Sequence, residues 1–333
     1  MGSLDGMRRI GRFTVERTLG NGGMGKVYLC RTPAGLRLAV KVISSELADS
    51  RTGRIRFHRE VEALRDVRSP YTLPLYDAQT RTPPYWLASR YVEGPTLDQH
   101  VRKRGPLPER RVAELGAMLA EALAGVHAHG LIHRDLKPSN IILEDGEPRL
   151  IDFGIVRSES WTRGLTDPLS PPGTSGFIPP ESLRGNEPTP AVDVFALGAV
   201  LVFAATGLLP FGQGLPALVR IYEGDPPRLT GVPTALADIV RSCLSPAPAD
   251  RPDPERLMAE LGALLKASPG AGRPSPGPER QPTVPVADPP HHCHVPVRPA
   301  AGGGCALRPV AARLLATGLS RPLIRKAVEN HAP

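Results

Sequence analysis

The stretch IHRDLKPSNIILEDGEPRLIDFG, residues 132–154, places many polar groups between apolar residues. Its chemically active side chains are those of His133, Arg134, Asp135, Lys137, Asn140 and Asp152. The Ile, Leu and Phe residues around them favour short buried segments. Two carboxylates, an amide and a lysine held together in this way indicate a chemical site, and the rest of the chain must agree with the chemistry assigned to it.

Length and charge limit the classes of protein to consider. The 333-residue chain is long enough for one large domain or for two lobes, each with its own core. The formal net charge is +8, but residues 267–333 hold eight Lys/Arg against three Asp/Glu, which leaves +3 for the first 266 residues. Since this region also lacks a long basic run, we expect no nucleic-acid partner.

Cysteine usage and apolar segments bear on location. The four cysteines are widely spaced and form no C-x-x-C pattern, which favours a reducing, cytoplasmic setting. The first residues carry charge with no apolar stretch behind it, so no signal peptide is expected. Residues 194–211 hold no charge, but Gly207 and Pro210 shorten the helical part and Asp193 precedes it. A buried helix is therefore favoured over a membrane span.

Periodicity divides the chain into a strand-rich start and a helical remainder. The first 43 residues predict strands around a glycine cluster, and a further strand is predicted over 84–92. Thr96 and Gln99 form a capping-box pattern at the start of a short helix. Helices are predicted over 52–67, from Pro108 to near Gly130, and over 191–206, 215–222, 234–243 and 254–266. The last has Asp253 as N-cap and Pro254 at its first position.

The composition changes at about Ser268. The residues from there carry 13 prolines in 66 positions, which predicts a disordered, basic tail over 267–333. Residues 310–328 are weakly amphipathic and could instead form a docking helix, although Pro322 interrupts them. The HHCH cluster at 291–294 suggests a metal site, but its crowding between prolines argues against one.

Two features near the start point to a phosphate ligand. Gly20, Gly22 and Gly25 form a G-x-G-x-x-G spacing between two strands, whereas a dinucleotide fold requires a helix after the glycines. A flexible hairpin of this kind can cover a triphosphate with its backbone. Lys41 lies in an apolar strand, where its charge requires an anionic partner, and Glu60 on the next helix is the candidate.

The glycine loop, Lys41, HRDLKPSN, DFG and the PPE of residues 179–181 together resemble the signature of eukaryotic-type (Hanks-type) protein Ser/Thr kinases, in their bacterial branch. The resemblance covers about residues 8–266. It implies an α+β, bilobal protein-kinase fold. A small β-rich N-lobe with one helix would span about 8–90, a hinge 90–94, and a larger, mainly helical C-lobe 95–266.

The resemblance implies ATP with Mg²⁺ (or Mn²⁺) and assigns roles residue by residue. Asp135 would orient the substrate hydroxyl and accept its proton, with Lys137 against the γ-phosphate. Asn140 and Asp152 would bind metal. Lys41 would hold the α/β-phosphates, fixed by Glu60. The nucleotide site would comprise Leu19, Gly20, Gly22, Gly25, Val27, Ala39, Lys41, Glu60, Ser89, Tyr91, Val92, Ile142 and Asp152.

Other family positions are structural. Glu181 and Arg251 would form a buried ion pair, Asp193 would bind the backbone of the catalytic loop, and Phe153 would act as a packing switch. Arg90 replaces the acidic residue usual in the hinge. We expect this change to matter little, since the hinge binds adenine through backbone groups.

Control is expected to involve Arg134. In the family such an arginine binds a phosphorylated residue of the activation loop. Thr166 is the predicted autophosphorylation site, with Thr162 and Ser170 as reserves. Thr174 would belong to the peptide platform and contact the catalytic aspartate and lysine.

Two other classes of function agree less well with the sequence. A pseudokinase scaffold would have lost Lys41, Asp135, Asn140 or Asp152, and all four are present. Small-molecule kinases such as the antibiotic phosphotransferases lack the GTSGFIPPE platform of residues 173–181. We therefore expect protein substrates in bacterial signalling, a homodimer as one route to autophosphorylation in trans, and a cytoplasmic location without a membrane span.

Overall fold

The structure, a computed structural model, describes residues 9–22, 25–43, 51–154 and 174–267. Its first part is an antiparallel sheet in the order β1-β2-β3-β4-β6-β5. The strands are β1 (Arg9–Ile10), β2 (Phe13–Gly22), β3 (Gly25–Arg31), β4 (Arg37–Ile43), β5 (Leu75–Gln79) and β6 (Trp86–Arg90). Helix α1 (Arg51–Asp66) connects β4 to β5. The expected β-rich N-lobe with one helix is confirmed.

Side-chain alternation along β4 explains why one face of this sheet is buried in an apolar cluster while the other, called the open face here, is not. Leu38, Val40 and Val42 are buried in one apolar cluster with residues of β3 and β6. Ala39 and Lys41 point to the opposite face, because successive side chains of a strand alternate. The same strand therefore contributes both to the core and to the surface that faces the second lobe.

The second part is mainly helical, as expected. Its elements are α2 (Leu97–Arg104), α3 (Glu109–His127), β7 (Ile141–Glu144), β8 (Glu147–Leu150), α4 (Pro180–Leu183), α5 (Ala191–Thr206), α6 (Gly214–Glu223), α7 (Thr234–Cys243) and α8 (Pro254–Ala267). Short 3-10 turns cover Pro138–Asn140, Thr174–Phe177 and Pro248–Asp250. Strands β7 and β8 form a hairpin that lies in the chain between the HRD motif at 133–135 and the DFG motif at 152–154.

Helix α5 is the centre of this lobe. Its residues 192–204 are all buried, and Gly207, with φ 73°, ends it in the left-handed conformation that favours glycine. The prediction of a buried helix in the uncharged segment is confirmed. Within the described ranges, no helix is both long and apolar enough to cross a membrane.

The predicted helix caps are confirmed. Thr96 and Gln99 form a reciprocal capping box at the start of α2. The Asp253 carboxylate accepts a 2.7 Å hydrogen bond from the Arg256 amide at the start of α8. These local bonds satisfy amides that have no partner within their own helix.

Candidate active site

The loop between α3 and β7 is fixed by one buried carboxylate at the start of α5. Asp193 accepts hydrogen bonds from the backbone amides of His133 at 2.7 Å and Arg134 at 2.8 Å. His127, the last residue of α3, contributes a third bond to Asp193 at 2.8 Å. The predicted role of Asp193 is confirmed, and these bonds hold Arg134 in a left-handed conformation with φ 62°.

The His133 ring joins this loop to the strand before the DFG motif. Its Nε2 donates to the carbonyl of Ile151 at 3.1 Å, while its Nδ1 accepts from the Asp135 amide at 3.3 Å. Burial lowers the pKa of His133, so the ring stays neutral in this tautomer. Phe153 packs against it, with ring centroids 5.0 Å apart.

Asp135, Lys137 and Asn140 are brought together by this loop. The Asn140 side-chain nitrogen donates to the Asp135 carbonyl at 2.8 Å and to its carboxylate at 3.0 Å. Lys137 Nζ lies 3.1 Å from the same carboxylate. The buried carboxylate is therefore oriented by an amide and a cation, as a group that must accept a proton from a fixed position requires.

Asp152 lies next to this group because of backbone pairing. The Ile151 amide donates to the Asn140 carbonyl at 3.0 Å, which brings the residue after Ile151 close to Asn140. Since the amide nitrogen of Asn140 is used by Asp135, its oxygen is the atom left for a metal. A carboxylate and an amide oxygen are hard donors of the kind that Mg²⁺ prefers, so the residues present fit such an ion.

Lys41 reaches this region from the open face of the N-lobe sheet. Its Nζ lies 3.3 Å from Asp152 Oδ1, and its side chain is only 16% exposed. The strand register places Val27 and Leu87 on either side of Lys41. Lys41 is thus anchored by β4 and directed at the C-lobe carboxylate.

The prediction that Lys41 binds Glu60 is wrong for this structure. Glu60 Oε1 instead accepts from Arg134 Nη1 at 3.0 Å, with both side chains 15% exposed. Burial raises the pKa of Glu60, while the charges of Arg134 and Arg56 oppose that rise. The physical reason is that two cations meet two carboxylates here: Arg134 pairs with Glu60 and Lys41 pairs with Asp152, so all four charges have an opposite partner.

Three of the residues expected around adenine share one face of the N-lobe sheet. Val27, Ala39 and Ser89 lie on the open face of the sheet, and Ala39 pairs directly with Ser89. Leu19 is half-buried near the end of β2, and Gly20 pairs with Val27. The remaining predicted members on the C-lobe side and in the hinge are Tyr91, Val92 and Ile142, of which Val92 is buried.

Several sequence predictions fall outside the described residues. Thr162, Thr166 and Ser170 lie there, as does the HHCH cluster with the rest of residues 268–333. Thr174 begins the 3-10 turn, but its side chain is also outside the described part. Gly22 pairs with Gly25 at the tip of the hairpin, as expected for a loop between two strands.

Sequence reasoning missed two contributors to the site. His127 carries no motif, although its place at the end of α3, six residues before His133, is a signal that it faces the loop. Glu144 lies at the end of β7 and binds Arg90 of the hinge through two hydrogen bonds. Nothing near Glu144 in the sequence indicates this partner.

A small cavity lies beside Asp135 and Lys137. Its other walls include Phe177, Ile178 and Pro179 from the segment before α4. Ile178 and Pro179 are buried, so this packing holds the segment before α4 next to the groups that meet at Asp135.

Comparison of the sequence with known proteins agrees with this arrangement of the site. The protein kinase domain family matches residues 13–261. The serine/threonine-protein kinase AfsK of Streptomyces coelicolor is 44% identical over 265 residues, which cover 78% of this chain and 33% of AfsK. PknD of Mycobacterium tuberculosis, also a serine/threonine-protein kinase, is 31% identical over 252 residues, 73% of this chain and 38% of PknD.

Solved structures give the same result. The M. tuberculosis PknI kinase domain superposes with a TM-score of 0.63 at 28% identity, covering 79% of this chain and 99% of that one. The chain therefore belongs to the protein kinase family. Its curated relatives named above are bacterial serine/threonine kinases, and the chain spans about a third of the length of AfsK.

Proposed function

We propose that this chain transfers the γ-phosphoryl group of ATP to serine and threonine hydroxyls of proteins. The observation that carries the proposal is the Asp135 carboxylate, bonded to Asn140 at 3.0 Å and Lys137 at 3.1 Å. In the reaction the substrate oxygen forms a bond to phosphorus, the bond to the ADP oxygen breaks, and the hydroxyl proton passes to Asp135.

The surrounding residues have distinct roles in this proposal. Lys137 stabilises negative charge on the transferring group, and Lys41 binds the α/β-phosphates. Asn140 and Asp152 hold Mg²⁺ or Mn²⁺, which neutralises phosphate charge when bound. Lys41 would exchange its bond to Asp152 for the nucleotide, because the metal would then neutralise Asp152 and the phosphate oxygens would give the ammonium a new anionic partner.

Two features support protein rather than small-molecule substrates. Residues 177–179, which belong to the GTSGFIPPE segment that small-molecule kinases lack, lie beside Asp135 and Lys137. The relatives with serine/threonine-kinase descriptions extend over this segment as well. We infer a role in bacterial signalling and a cytoplasmic location, which fractionation of the native cells would test.

Lys41→Met is expected to abolish autophosphorylation without unfolding the chain. Methionine retains the apolar stem in β4 but cannot bind phosphate. Purified wild-type and variant proteins would be incubated with labelled ATP and Mg²⁺, and folding compared by circular dichroism. Full labelling of the Lys41→Met protein would contradict the assigned role of Lys41.

The same variant tests the proposed trans reaction. A homodimer in which one copy phosphorylates the other should allow wild-type protein to label the Lys41→Met chain in a mixture. Labelling that stays confined to the wild-type chain at every concentration would instead indicate reaction within one molecule.

We also propose that activity is controlled by exchange of the partner of Arg134. Arg134 binds Glu60 in this structure, at 3.0 Å. A phosphate on Thr166 would bring a charge of about −1.5 to −2 and three acceptor oxygens to Arg134. Glu60, displaced from Arg134, would then be available to Lys41, which is the pairing expected from the sequence.

Thr166→Ala is expected to slow substrate phosphorylation by at least about tenfold, equivalent to a loss of ~1.4 kcal/mol or more of transition-state stabilisation. Ser158→Ala, in the same segment, is the matched control and should keep the wild-type rate. If Arg134 is the receiver, adding Arg134→Gln to Thr166→Ala should cause no further loss. Absence of phosphate at Thr166 together with a full rate in the alanine variant would overturn this proposal.

A further inference from the structure

The hinge arginine that departs from the family pattern has a defined partner. Arg90, at the end of β6, donates from Nη1 and Nη2 to Glu144 Oε1 and Oε2 at 2.8 and 3.0 Å. Glu144 ends β7, and Ile142, expected beneath adenine, lies two residues earlier in the same strand. The bond therefore joins the first residue of the hinge to the strand that supplies the floor of the nucleotide site.

Glu144 is held on its other side as well. Arg149 Nε donates to Glu144 Oε2 at 2.8 Å, and the Glu144 side chain is 19% exposed. The hydrogen bond from Arg90, followed by that from Arg149, lowers the pKa of Glu144 to about 2. The carboxylate therefore remains charged at every pH at which the protein would be assayed. Arg149 of β8 also fixes its orientation towards Arg90.

The far end of the hinge contacts the same strand through its backbone. The Leu143 amide donates to the Pro95 carbonyl at 2.9 Å. Gly94 has φ 150°, and a Cβ at this position would lie 2.4 Å from the Leu143 carbonyl oxygen, so the chains approach as closely as glycine allows. With Arg90 bound to Glu144, both ends of the hinge are attached to β7.

The N-lobe holds the middle of the hinge. The Tyr91 amide donates to the Arg37 carbonyl at 3.1 Å. The Arg37 guanidinium lies 5.8 Å from the centre of the Tyr91 ring and 2.7 Å from Glu93 Oε1. The hinge is thus attached to both lobes, and the Arg90–Glu144 bond is the charged attachment to the C-lobe.

We propose that Arg90 and Glu144 are positioning residues for the nucleotide base, which set the separation between the hinge and the β7 floor before adenine binds. The inference rests on the proposed function, since it assigns the base to this slot. It also revises the expectation that Arg90 matters little: its side chain does not touch the base, but it fixes the backbone that does.

Preorganisation is the physical basis of the effect. A slot whose walls are already in place binds without losing free energy to their ordering. A bidentate arginine–carboxylate pair fixes geometry as well as charge. Arg90 is 48% exposed, so solvent weakens the pair and the effect should be moderate.

The test measures binding of adenosine and of ATP to the full chain by calorimetry. Adenosine contains the base but no phosphates, so it reports on the slot alone. Glu144→Gln and Arg90→Gln should each raise both dissociation constants about fivefold, or ~1 kcal/mol. The double variant should be no weaker than either single one, because the same bond is lost. The turnover rate at saturating ATP should be unchanged.

Glu147→Gln is the matched control. Glu147 lies on the same hairpin and accepts from Arg149 at 3.2 Å, outside the hinge bond. It should leave both dissociation constants at the wild-type value. If Glu144→Gln does not fold, the more exposed Arg90→Gln carries the same test.

The outcomes separate this inference from the proposed function. Wild-type protein that binds no ATP would refute the proposed function itself. The positioning role would be overturned if wild-type protein binds ATP and the two glutamine variants bind adenosine and ATP with the wild-type dissociation constants. A lower melting temperature without a change in either dissociation constant would overturn it too, since the bond would then be only structural.

Discussion

Asp152→Asn is expected to lower phosphoryl transfer about a thousandfold, a loss of ~4 kcal/mol in transition-state stabilisation. The asparagine keeps the shape of the side chain but removes the negative charge that would bind metal. In this structure the carboxylate lies 3.3 Å from Lys41, so the variant also leaves that ammonium without its partner before nucleotide binds. Transfer of label from ATP, measured under single-turnover conditions, checks the prediction.

The variant should fold, and a matched control exists. Asp152 has φ 57°, and asparagine is one of the few residues that tolerate this left-handed conformation. Asp145, at the exposed turn between β7 and β8, has a similar φ of 52°. Asp145→Asn is therefore the same substitution in the same backbone conformation and should keep full activity. Activity of Asp152→Asn within a few-fold of wild type would contradict its role as a metal ligand.

Arg251→Met is expected to lower the free energy of unfolding by about 3–5 kcal/mol. The Arg251 side chain is 0% exposed and donates to Glu181 Oε1 and Oε2 at 2.6 and 2.8 Å. It also donates to the carbonyls of Ser245 at 2.8 Å and Ala191 at 3.0 Å. Methionine fills similar space but leaves the Glu181 charge buried without a partner, which is the costly part of the change.

Chemical denaturation measures this loss, and two variants calibrate it. The double variant Glu181→Leu/Arg251→Met should be more stable than Arg251→Met alone, because no lone charge remains buried. Arg256→Met breaks an exposed pair with Glu260 in α8 and should change stability little. An Arg251→Met protein as stable as wild type would show that this buried pair does not anchor the segment that ends at Glu181.

Local patterns were sufficient to predict much of the fold. Hydrogen bonds between residues close in sequence specify two helix starts, at the capping box of Thr96 and Gln99 and at the Asp253 cap. The uncharged run of α5 specifies a buried helix. The HRD and DFG motifs likewise predicted a joined site, and Asp193 was expected at the catalytic-loop backbone, where it is found.

The partner of Glu60 could not be predicted in the same way. Motifs identify Lys41, Glu60, Arg134 and Asp152, but not which cation binds which carboxylate. Lys41 has two candidate carboxylates, Glu60 and Asp152, and which of them it binds depends on the position of α1 relative to the C-lobe. The observed choice, Glu60 with Arg134, is a property of the tertiary structure.

Arg90 shows a different limit of sequence reasoning. Its departure from the family pattern was visible, but its partner lies 54 residues away in β7. No periodicity connects the two, because their contact is created by the close packing of the hinge against that strand. The partner of Arg90 is therefore known only from the structure.

The central claim is tested most directly by identifying the amino acids that receive phosphate. The full wild-type chain and Asp135→Asn would each be incubated with ATP, Mg²⁺ and a cell extract, and phosphosites mapped by mass spectrometry. With the wild-type protein we expect new phosphoserine and phosphothreonine, formed only when the divalent cation is present. With Asp135→Asn we expect neither phosphorylated amino acid to form. Equal labelling by the two proteins, or no phosphate on serine or threonine with the wild type, would contradict the claim.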